Sequence, residues 1–406
     1  MTITKRGTSV PPSHKPAVVR PDLSERRIRQ VCAWVVLFLL LEAELGLAWD
    51  RRWHDYVGRD QFWIPPHIMM YVGIAGTGLI SLFVVLLDTL RYRRKKAGVD
   101  DSSTVSILGF FHAPLGFILL GVGTLIDLIA APFDNYWHEL YGIDVTLWTP
   151  FHLMGVFGGV MAGLGIIYVF ASEVVHERQV EYPSRRLLGL NGPEWGIVLL
   201  IAGFLELVPP ALTAFIPIGL GPVQLLTYPL VLTFVASSCL ISIYLCIRRP
   251  GITLLMILVL WPLALVTETY VLFALDFMAA RLGLVYRFGR EPVFNVTLAL
   301  LPLLYLVCAL MVEAVVYWQR RHGREKDGDL RGAWLLGVVM AVPAVVIPPV
   351  IAHALAPVLW LPPDVMKVLE PDWLDMLVSL PVAMGVEAIA ATLGTVLGDI
   401  WNWNER

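Results

Sequence analysis

A short stretch of the chain gathers three metal-binding residues between two long apolar runs. It reads DRRWHDYVGRDQFWIPPH and contains Asp50, His54 and His67. Asp50 and His54 are spaced i, i+4, so at the end of a helix they share a face one turn apart. His67 follows Pro65 and Pro66, which suit the first turn of the next helix. Because a short loop would fold that helix back, we expect the carboxylate and both imidazoles to meet.

A near copy of this stretch begins 84 residues later. It reads DNYWHELYGIDVTLWTPFH and contains Asp134, His138 and His152, with Pro150 just before the last histidine. The shared pattern is D-x3-H, an Asp six residues further on, and then W-x-P-x-H. A lone histidine or aspartate at a helix end is usually a hydrogen-bonded surface residue or a helix cap. The recurrence therefore favours metal binding, and the two triads are the best candidates for catalytic groups.

The chemistry that such triads support is that of a transition metal. Two histidines and one carboxylate suit Fe(II), Zn or Cu, and an open coordination position would admit water or oxygen. Asp60 and Asp144 occupy the same place in the two loops, where they could hydrogen-bond a histidine ligand or cap a helix. Glu44 and Asp127 precede the ligand aspartates by six or seven residues. They could be extra ligands, proton donors or partners of the sites.

The elements that position these residues are membrane-spanning helices. The chain of 406 residues is 57% hydrophobic and 16% charged, whereas a soluble domain has about 45–50% apolar and about 25% charged residues. Many apolar runs reach the roughly 20 residues that a helix needs to cross the hydrocarbon core. We predict an all-α, polytopic membrane bundle of about ten helices. The predicted spans are 29–49, 66–90, 105–131, 149–174, 193–217, 223–247, 251–280, 294–318, 332–357 and 373–398.

The distribution of Lys and Arg predicts the orientation of the bundle. Of the 30 basic residues, 23 lie in segments on the side of the N-terminus. Since cytoplasmic loops carry the excess of Lys and Arg, both termini are predicted to be cytoplasmic. Both metal-binding stretches then lie on the outer face of the plasma (inner) membrane, at the tips of the first two helical hairpins.

The repeat divides the chain into three predicted parts. Residues 1–28 form a basic cytoplasmic tail that we expect to be disordered, and residues 29–176 form a four-helix metal-binding unit of two repeated hairpins. Beyond residue 176 the repeat fades, and residues 190–406 form a six-helix membrane unit whose role the sequence does not assign. The four cysteines have no metal-binding spacing, so they are predicted to be free thiols.

The pattern D-x3-H-x12-H resembles the C subunit of copper membrane monooxygenases, the particulate methane, ammonia and short-hydrocarbon enzymes. The Trp before His54, the Arg59–Asp60 pair and the Pro before His67 add to the resemblance, which covers about residues 30–175. In that family the Asp/His/His triad binds copper near the outer face, and a second triad with x3 and x13 spacing begins with Asn. This chain has Asp134 in that place.

The resemblance implies one or two copper sites and hydroxylation of a small apolar substrate by O2. It also implies A-like and B-like partner subunits beside the lipid bilayer, and no nucleic acid. Two other functions stay open: a metal or ion transporter or metal-handling protein that uses the same ligands, and a structural or assembly subunit in which the hairpin sites stabilise the fold.

Overall fold

The chain folds into long helices and two small β-hairpins. A computed structural model describes residues 23–58, 61–96, 102–142, 149–179, 185–212, 217–294, 296–322, 333–359 and 371–401. The first elements are α1 (Leu23–Tyr56), α2 (Pro65–Arg93), β1 (Thr104–Ile107), β2 (Phe111–Pro114), α3 (Leu115–Tyr141) and α4 (Pro150–Gln179). The later elements are α5 (Gly192–Leu212), β3 (Ile218–Leu220), β4 (Val223–Leu225), α6 (Tyr228–Ile247), α7 (Ile252–Leu282), a 3-10 turn (Arg287–Gly289), α8 (Val296–Arg321), α9 (Ala333–Leu359) and α10 (Trp373–Ile400).

The helices form a membrane bundle. Among the described residues, seven helices are long and apolar enough to cross a membrane, namely α1, α2, α3, α4, α6, α7 and α10. This agrees with the predicted class, an all-α multi-pass membrane protein in a lipid bilayer. The number of ten crossings and the side of the termini remain predictions from the sequence.

The third predicted span was wrong at its N-terminal end. Residues 105–114 belong to an antiparallel hairpin in which Thr104 pairs with Pro114 and Ile107 with Phe111. Leu108 and Gly109 both have positive φ, +55° and +63°, in the three-residue connection between Ile107 and Phe111, where the Phe110 amide donates to the Ile107 carbonyl oxygen at 3.1 Å. The apolar run from Ile107 to Phe111 therefore turns back on itself, and the helix α3 starts ten residues later than expected.

The helices that carry the triads extend beyond the predicted spans. The spans 29–49 and 105–131 were predicted to end just before the ligand aspartates, but α1 continues to Tyr56 and α3 to Tyr141. Asp and His in each D-x3-H pattern thus stand on the last two turns of a helix. The i, i+4 spacing then places them on one face, as the sequence predicted.

The two hairpins pack through glycines. In the first, a Cβ on Gly73 of α2 would lie 2.8 Å from Ala43 Cβ of α1, and one on Gly46 would lie 3.3 Å from the carbonyl oxygen of Pro66. In the second hairpin, a Cβ on Gly165 of α4 would lie 2.7 Å from the carbonyl oxygen of Gly116. Small residues let helix backbones approach closely in a membrane. Each pair runs antiparallel, which brings both hairpin tips to the same end of the bundle.

Buried ion pairs fasten the opposite end of the four-helix unit. Arg29 of α1 contacts Asp88 of α2 at 2.9 Å and Glu25 of its own helix at 2.7 Å. Arg26 reaches Glu173 of α4 at 2.9 Å. Because Arg29, Asp88 and Glu25 are all buried, removal of either charge type would leave the other without compensation. These contacts hold the start of α1 against the ends of α2 and α4.

The hydrophobic core extends across the four-helix and six-helix units. One cluster of buried side chains draws on every long helix of the described residues, from Ala33 of α1 to Ala391 of α10. A separate cluster joins Trp49 and Trp53 of α1 to Val271 and Leu275 of α7. The boundaries of the two units remain predictions, but their helices pack against each other.

Gly165→Ala should destabilise the protein, because its Cβ would lie 2.7 Å from the Gly116 carbonyl oxygen and 2.7 Å from the Leu120 amide nitrogen. Backbone atoms do not yield easily, and overpacking of this kind costs about 1–3 kcal/mol. Gly163→Ala on the same helix is the control, since nothing lies within 4 Å of its added Cβ. Thermal unfolding in detergent compares the two, and equal unfolding temperatures would contradict the close helix contact.

Candidate metal centres

The first triad comes together at the tip of the hairpin between α1 and α2. Asp50 and His54 lie in the last two turns of α1, and His67 is the third residue of α2, after two prolines. Asp50 Oδ2 is 3.4 Å from His54 Nε2, and Asp50 Oδ1 is 3.2 Å from His67 Nε2. The carboxylate therefore lies between the two imidazoles, and both present Nε2 to it.

The second triad repeats this arrangement at the tip of the hairpin between α3 and α4. Asp134 Oδ2 is 3.3 Å from His138 Nε2 and 3.3 Å from His152 Nε2. His138 is in the last turn of α3, and His152 follows Pro150 in the first turn of α4. Both predicted triads are thus assembled, with the same atoms facing inward.

The spacing of these atoms fits a metal ion. In each triad, one ligand atom from each residue lies within 4.8 Å of the other two. A tetrahedral ion with bonds of about 2.0–2.1 Å separates its ligand atoms by about 3.3 Å. The carboxylate–imidazole distances of 3.2–3.4 Å match that separation. Two nitrogens and one oxygen form a donor set that copper, Fe(II) and zinc all accept.

The carbonyl group of Gly142 orients His138 in the second triad. His138 Nδ1 lies 3.3 Å from this oxygen, so a proton on Nδ1 donates to it and leaves the lone pair of Nε2 for a metal. Metal-bound histidines commonly make this kind of hydrogen bond with their other nitrogen. Gly142 ends α3 with φ of +86°, and a glycine after an apolar helix end was the signal for it in the sequence. Asp60 and Asp144, the acids predicted either to bond a ligand histidine or to cap a helix, lie outside the described residues.

Glu44 points away from the first triad. It precedes Asp50 by six residues, which places it about 9 Å deeper and about 240° around the helix. A Cβ on Gly203 of α5 would overlap Glu44 Oε2, and Glu206 of α5 lies within electrostatic range of Glu44. This placement suits an electrostatic partner or a proton donor between the two units rather than a ligand of the ion that Asp50 would hold.

Asp127 lies directly beneath the second triad. It precedes Asp134 by seven residues, so it shares the same face of α3 about 10 Å deeper, beyond the reach of a common ion. Its Oδ1 is buried without a hydrogen-bond partner among the described residues, and a Cβ on Gly158 of α4 would overlap it. In the first hairpin Ala43 faces Gly73 at the corresponding position. The acid beneath the site is thus a property of the second hairpin, and Glu44 is not its counterpart.

The first triad is anchored to the six-helix unit by buried charges. Arg52 of α1 contacts Glu268 of α7 at 3.2 Å and donates to the carbonyl oxygen of Val293 at 2.9 Å. Arg287 donates to the backbone carbonyl of His54 at 3.2 Å. No local pattern in the sequence links Arg52, Glu268 and Arg287 to the triad, because only folding brings them together beside the end of α1.

The two triads differ in their access to the surroundings. The side chains of Asp50 and His67 are 14% and 15% exposed, whereas those of Asp134 and His152 are 20% and 28% exposed. The difference follows from packing, since α7 and the segment after it cover the first hairpin tip. The second triad is the more open of the two.

Comparison with known proteins gives no matching family model, no matching curated protein and no matching solved structure.

Glu268→Gln should lower the stability of the folded protein, because the substitution removes the charge that faces the buried Arg52 guanidinium. Breaking one partner of a buried ion pair costs about 3–5 kcal/mol. Glu291→Gln is the control, since Glu291 is an exposed acid in the segment that follows α7. Chemical or thermal unfolding in detergent measures both variants. If Glu268→Gln unfolds at the wild-type temperature, the ion pair does not anchor the first hairpin tip.

Proposed function

We propose that this protein binds two metal ions at the tips of its first two helical hairpins, with copper as the favoured metal. The observation that carries the proposal is the recurrence of one geometry in two places. Asp50, His54 and His67 would hold one ion, and the second triad would hold the other. A chance grouping of surface residues would not repeat the same inward-facing atoms at matched distances.

We further propose that the protein is a copper-dependent monooxygenase, or a subunit of one, that hydroxylates a small apolar substrate with O2. The support is the resemblance of the triads to those of the C subunit of copper membrane monooxygenases. Copper, when bound, would supply the reductive activation of O2. Asp134 replaces the neutral Asn of that family, and the added negative charge would hold a cationic metal more firmly in the second centre.

The surroundings of the second triad suit an apolar substrate. Phe133 and Tyr136, on either side of Asp134 in α3, are 51% and 57% exposed, and Phe157 of α4 is 57% exposed. These apolar surfaces would face lipid, from which a hydrocarbon could reach the more open triad. Asp127, beneath Asp134, is placed to hold or release a proton on the membrane side of that site. We therefore assign the chemistry to the second triad and an anchoring role to the first.

We also propose an orientation of the protein in the membrane and two kinds of partner subunit. Both termini would lie in the cytoplasm, and the metal centres would lie on the outer face of the plasma membrane, as the distribution of basic residues predicts. A-like and B-like subunits would then meet the hairpin tips from the outer side.

Metal transport or handling is the second candidate function. It is favoured by the acids buried between α1, α5 and α7, where Glu206 lies within electrostatic range of Glu44 and Glu268. Acids at such depth are costly and usually functional. They would offer a passing cation carboxylate ligands between the first triad and the six-helix unit. A purely structural role for the metal centres predicts neither product formation nor metal movement.

The detergent-purified protein should contain two copper equivalents by elemental analysis. His54→Ala and His138→Ala should each lose one equivalent, and the double variant should lose both, because each histidine supplies one of only three protein ligands. His322→Ala is the control, since His322 is exposed at the end of α8 and bonds the Trp318 carbonyl oxygen. If the wild-type protein contains no stoichiometric metal, every proposed metal-dependent function is wrong. If it contains stoichiometric zinc or iron, the assignment of copper is wrong, but the two metal sites stand.

Membranes that contain the protein should form hydroxylated product from a short hydrocarbon when O2 and a reductant are supplied. His138→Ala should abolish the product while the folded fraction stays at the level of His322→Ala, because it removes a ligand from the open centre. Product formation is followed by gas chromatography with isotopically labelled O2. Metal handling would be favoured instead if the wild type forms no labelled product and His138→Ala loses the uptake of metal into vesicles that the wild type shows.

A further inference from the structure

A carboxyl group lies at mid-depth in the six-helix unit, on a helix that carries no metal ligand. Glu387 is close to the midpoint of the 28-residue helix α10, so about 20 Å of helix separates it from either end. The residue is 0% exposed. Acids buried at the centre of a membrane bundle are rare, because their charge is costly there, and they usually mark a functional site.

The carboxyl group is held tightly on one side and lacks a partner on the other. The hydroxyl of Ser237 on α6 donates to Glu387 Oε2 over 2.5 Å. Oε1 is buried without a hydrogen-bond partner among the described residues. On the other side of α10, helix α9 packs so closely that a Cβ on Gly337 would overlap the backbone carbonyl oxygen of Glu387.

No positive charge compensates Glu387 among the described side chains. The titratable groups that face this region are Cys308 and Tyr305 of α8 and Cys239 of α6, all of which are neutral when protonated. Among the described residues, no charged side chain interacts with Glu387. On α9, the backbone of His353 lies about 24 Å along the helix from the contact with Glu387.

If Glu387 were a carboxylate without a facing positive charge, its burial would cost the full desolvation free energy of the charge. That free energy is much larger than the stabilisation from one hydroxyl hydrogen bond. The neutral acid removes that cost, with the proton on Oε1 and the Ser237 hydroxyl bonded to Oε2. We propose that Glu387 is a reversible proton-binding site and that the six-helix unit moves protons through the membrane by loading and unloading it. This proposal is independent of the metal centres.

The helices around Glu387 are built to admit such an exchange. Pro381 lies inside α10 six residues before Glu387, and a proline inside a membrane helix frees a backbone carbonyl and permits a kink. On α6, the hydroxyls of Ser237, Ser238 and Ser242 all lie in the buried interior. On release, the O–H bond at Oε1 breaks, the proton passes to water admitted along these hydroxyls, and the carboxylate remains. No electron is transferred.

Dicyclohexylcarbodiimide tests the proposal on the full-length protein. It adds to a protonated carboxyl group, and in an apolar site the adduct rearranges to a stable N-acylurea. We expect a label on the peptide that contains Glu387, identified by mass spectrometry, and the labelling of this peptide should fall as pH rises. Glu387→Gln should abolish the label. Glu313→Gln should retain it, because Glu313 is an acid of the same unit that already accepts hydrogen bonds from Gly251 and Thr253.

Proton flux supplies the second measurement. Liposomes that contain the wild type should dissipate an imposed pH gradient, and those that contain Glu387→Gln should not, while His322→Ala, at an exposed position at the end of α8, should behave as the wild type. Ser237→Ala removes the donor that favours the charged form, so the pH of half-maximal labelling should rise by about one unit. This variant also keeps the test decisive if Glu387→Gln does not fold.

Three results would overturn the proposal. Unlabelled Glu387, or labelling that is independent of pH, would make it a permanently neutral structural acid. Protection by sodium at constant pH would make it an alkali-cation site instead. Flux in Glu387→Gln liposomes equal to that of the wild type would remove the proton-moving role.

Discussion

The close antiparallel contact between paired helices is the constraint on which both candidate centres depend. Asp50 and His54 would share a helix face in isolation, but His67 reaches them only because α2 folds back against α1. Glycines at the helix interface allow that approach, since a Cβ on Gly73 would lie 2.8 Å from Ala43 Cβ. In lipid, where helices gain little from hydrophobic burial, such close backbone packing supplies much of the attraction. The ligands therefore meet as a consequence of helix packing.

The same hairpin occurs in two environments, which give the two candidate centres unequal access. The first tip is covered by α7 and fixed by the Arg52–Glu268 pair at 3.2 Å. The second tip keeps His152 28% exposed and has Asp127 beneath it. This unequal access is the basis on which we propose one anchored centre and one reactive centre.

The buried polar groups of the described residues lie in separate regions of the bundle. Ion pairs around Arg29 close one end, the triads occupy the other end, and Glu387 lies at mid-depth in the six-helix unit, on a different helix from the acids buried between α1, α5 and α7. Charges at the ends are paired, with partners at hydrogen-bonding distance, as burial requires. Glu387 has a hydroxyl donor and no facing cation among the described residues. That contrast distinguishes a group that binds a proton from groups that stabilise the fold.

The sequence by itself determined the class of protein, the residues of both triads and their repetition, because hydropathy and i, i+4 spacing are local properties. It misplaced the start of α3, since an apolar run does not reveal the positive φ angles that turn Leu108 and Gly109 into a hairpin. Only the tertiary structure decided that Gly142 orients His138, that Arg52 meets Glu268, and that Glu44 and Asp127 point to different neighbours. Those facts depend on which helices pack together and at what rotation, and contacts between residues more than 200 positions apart, such as Arg52 and Glu268, leave no local pattern in the chain.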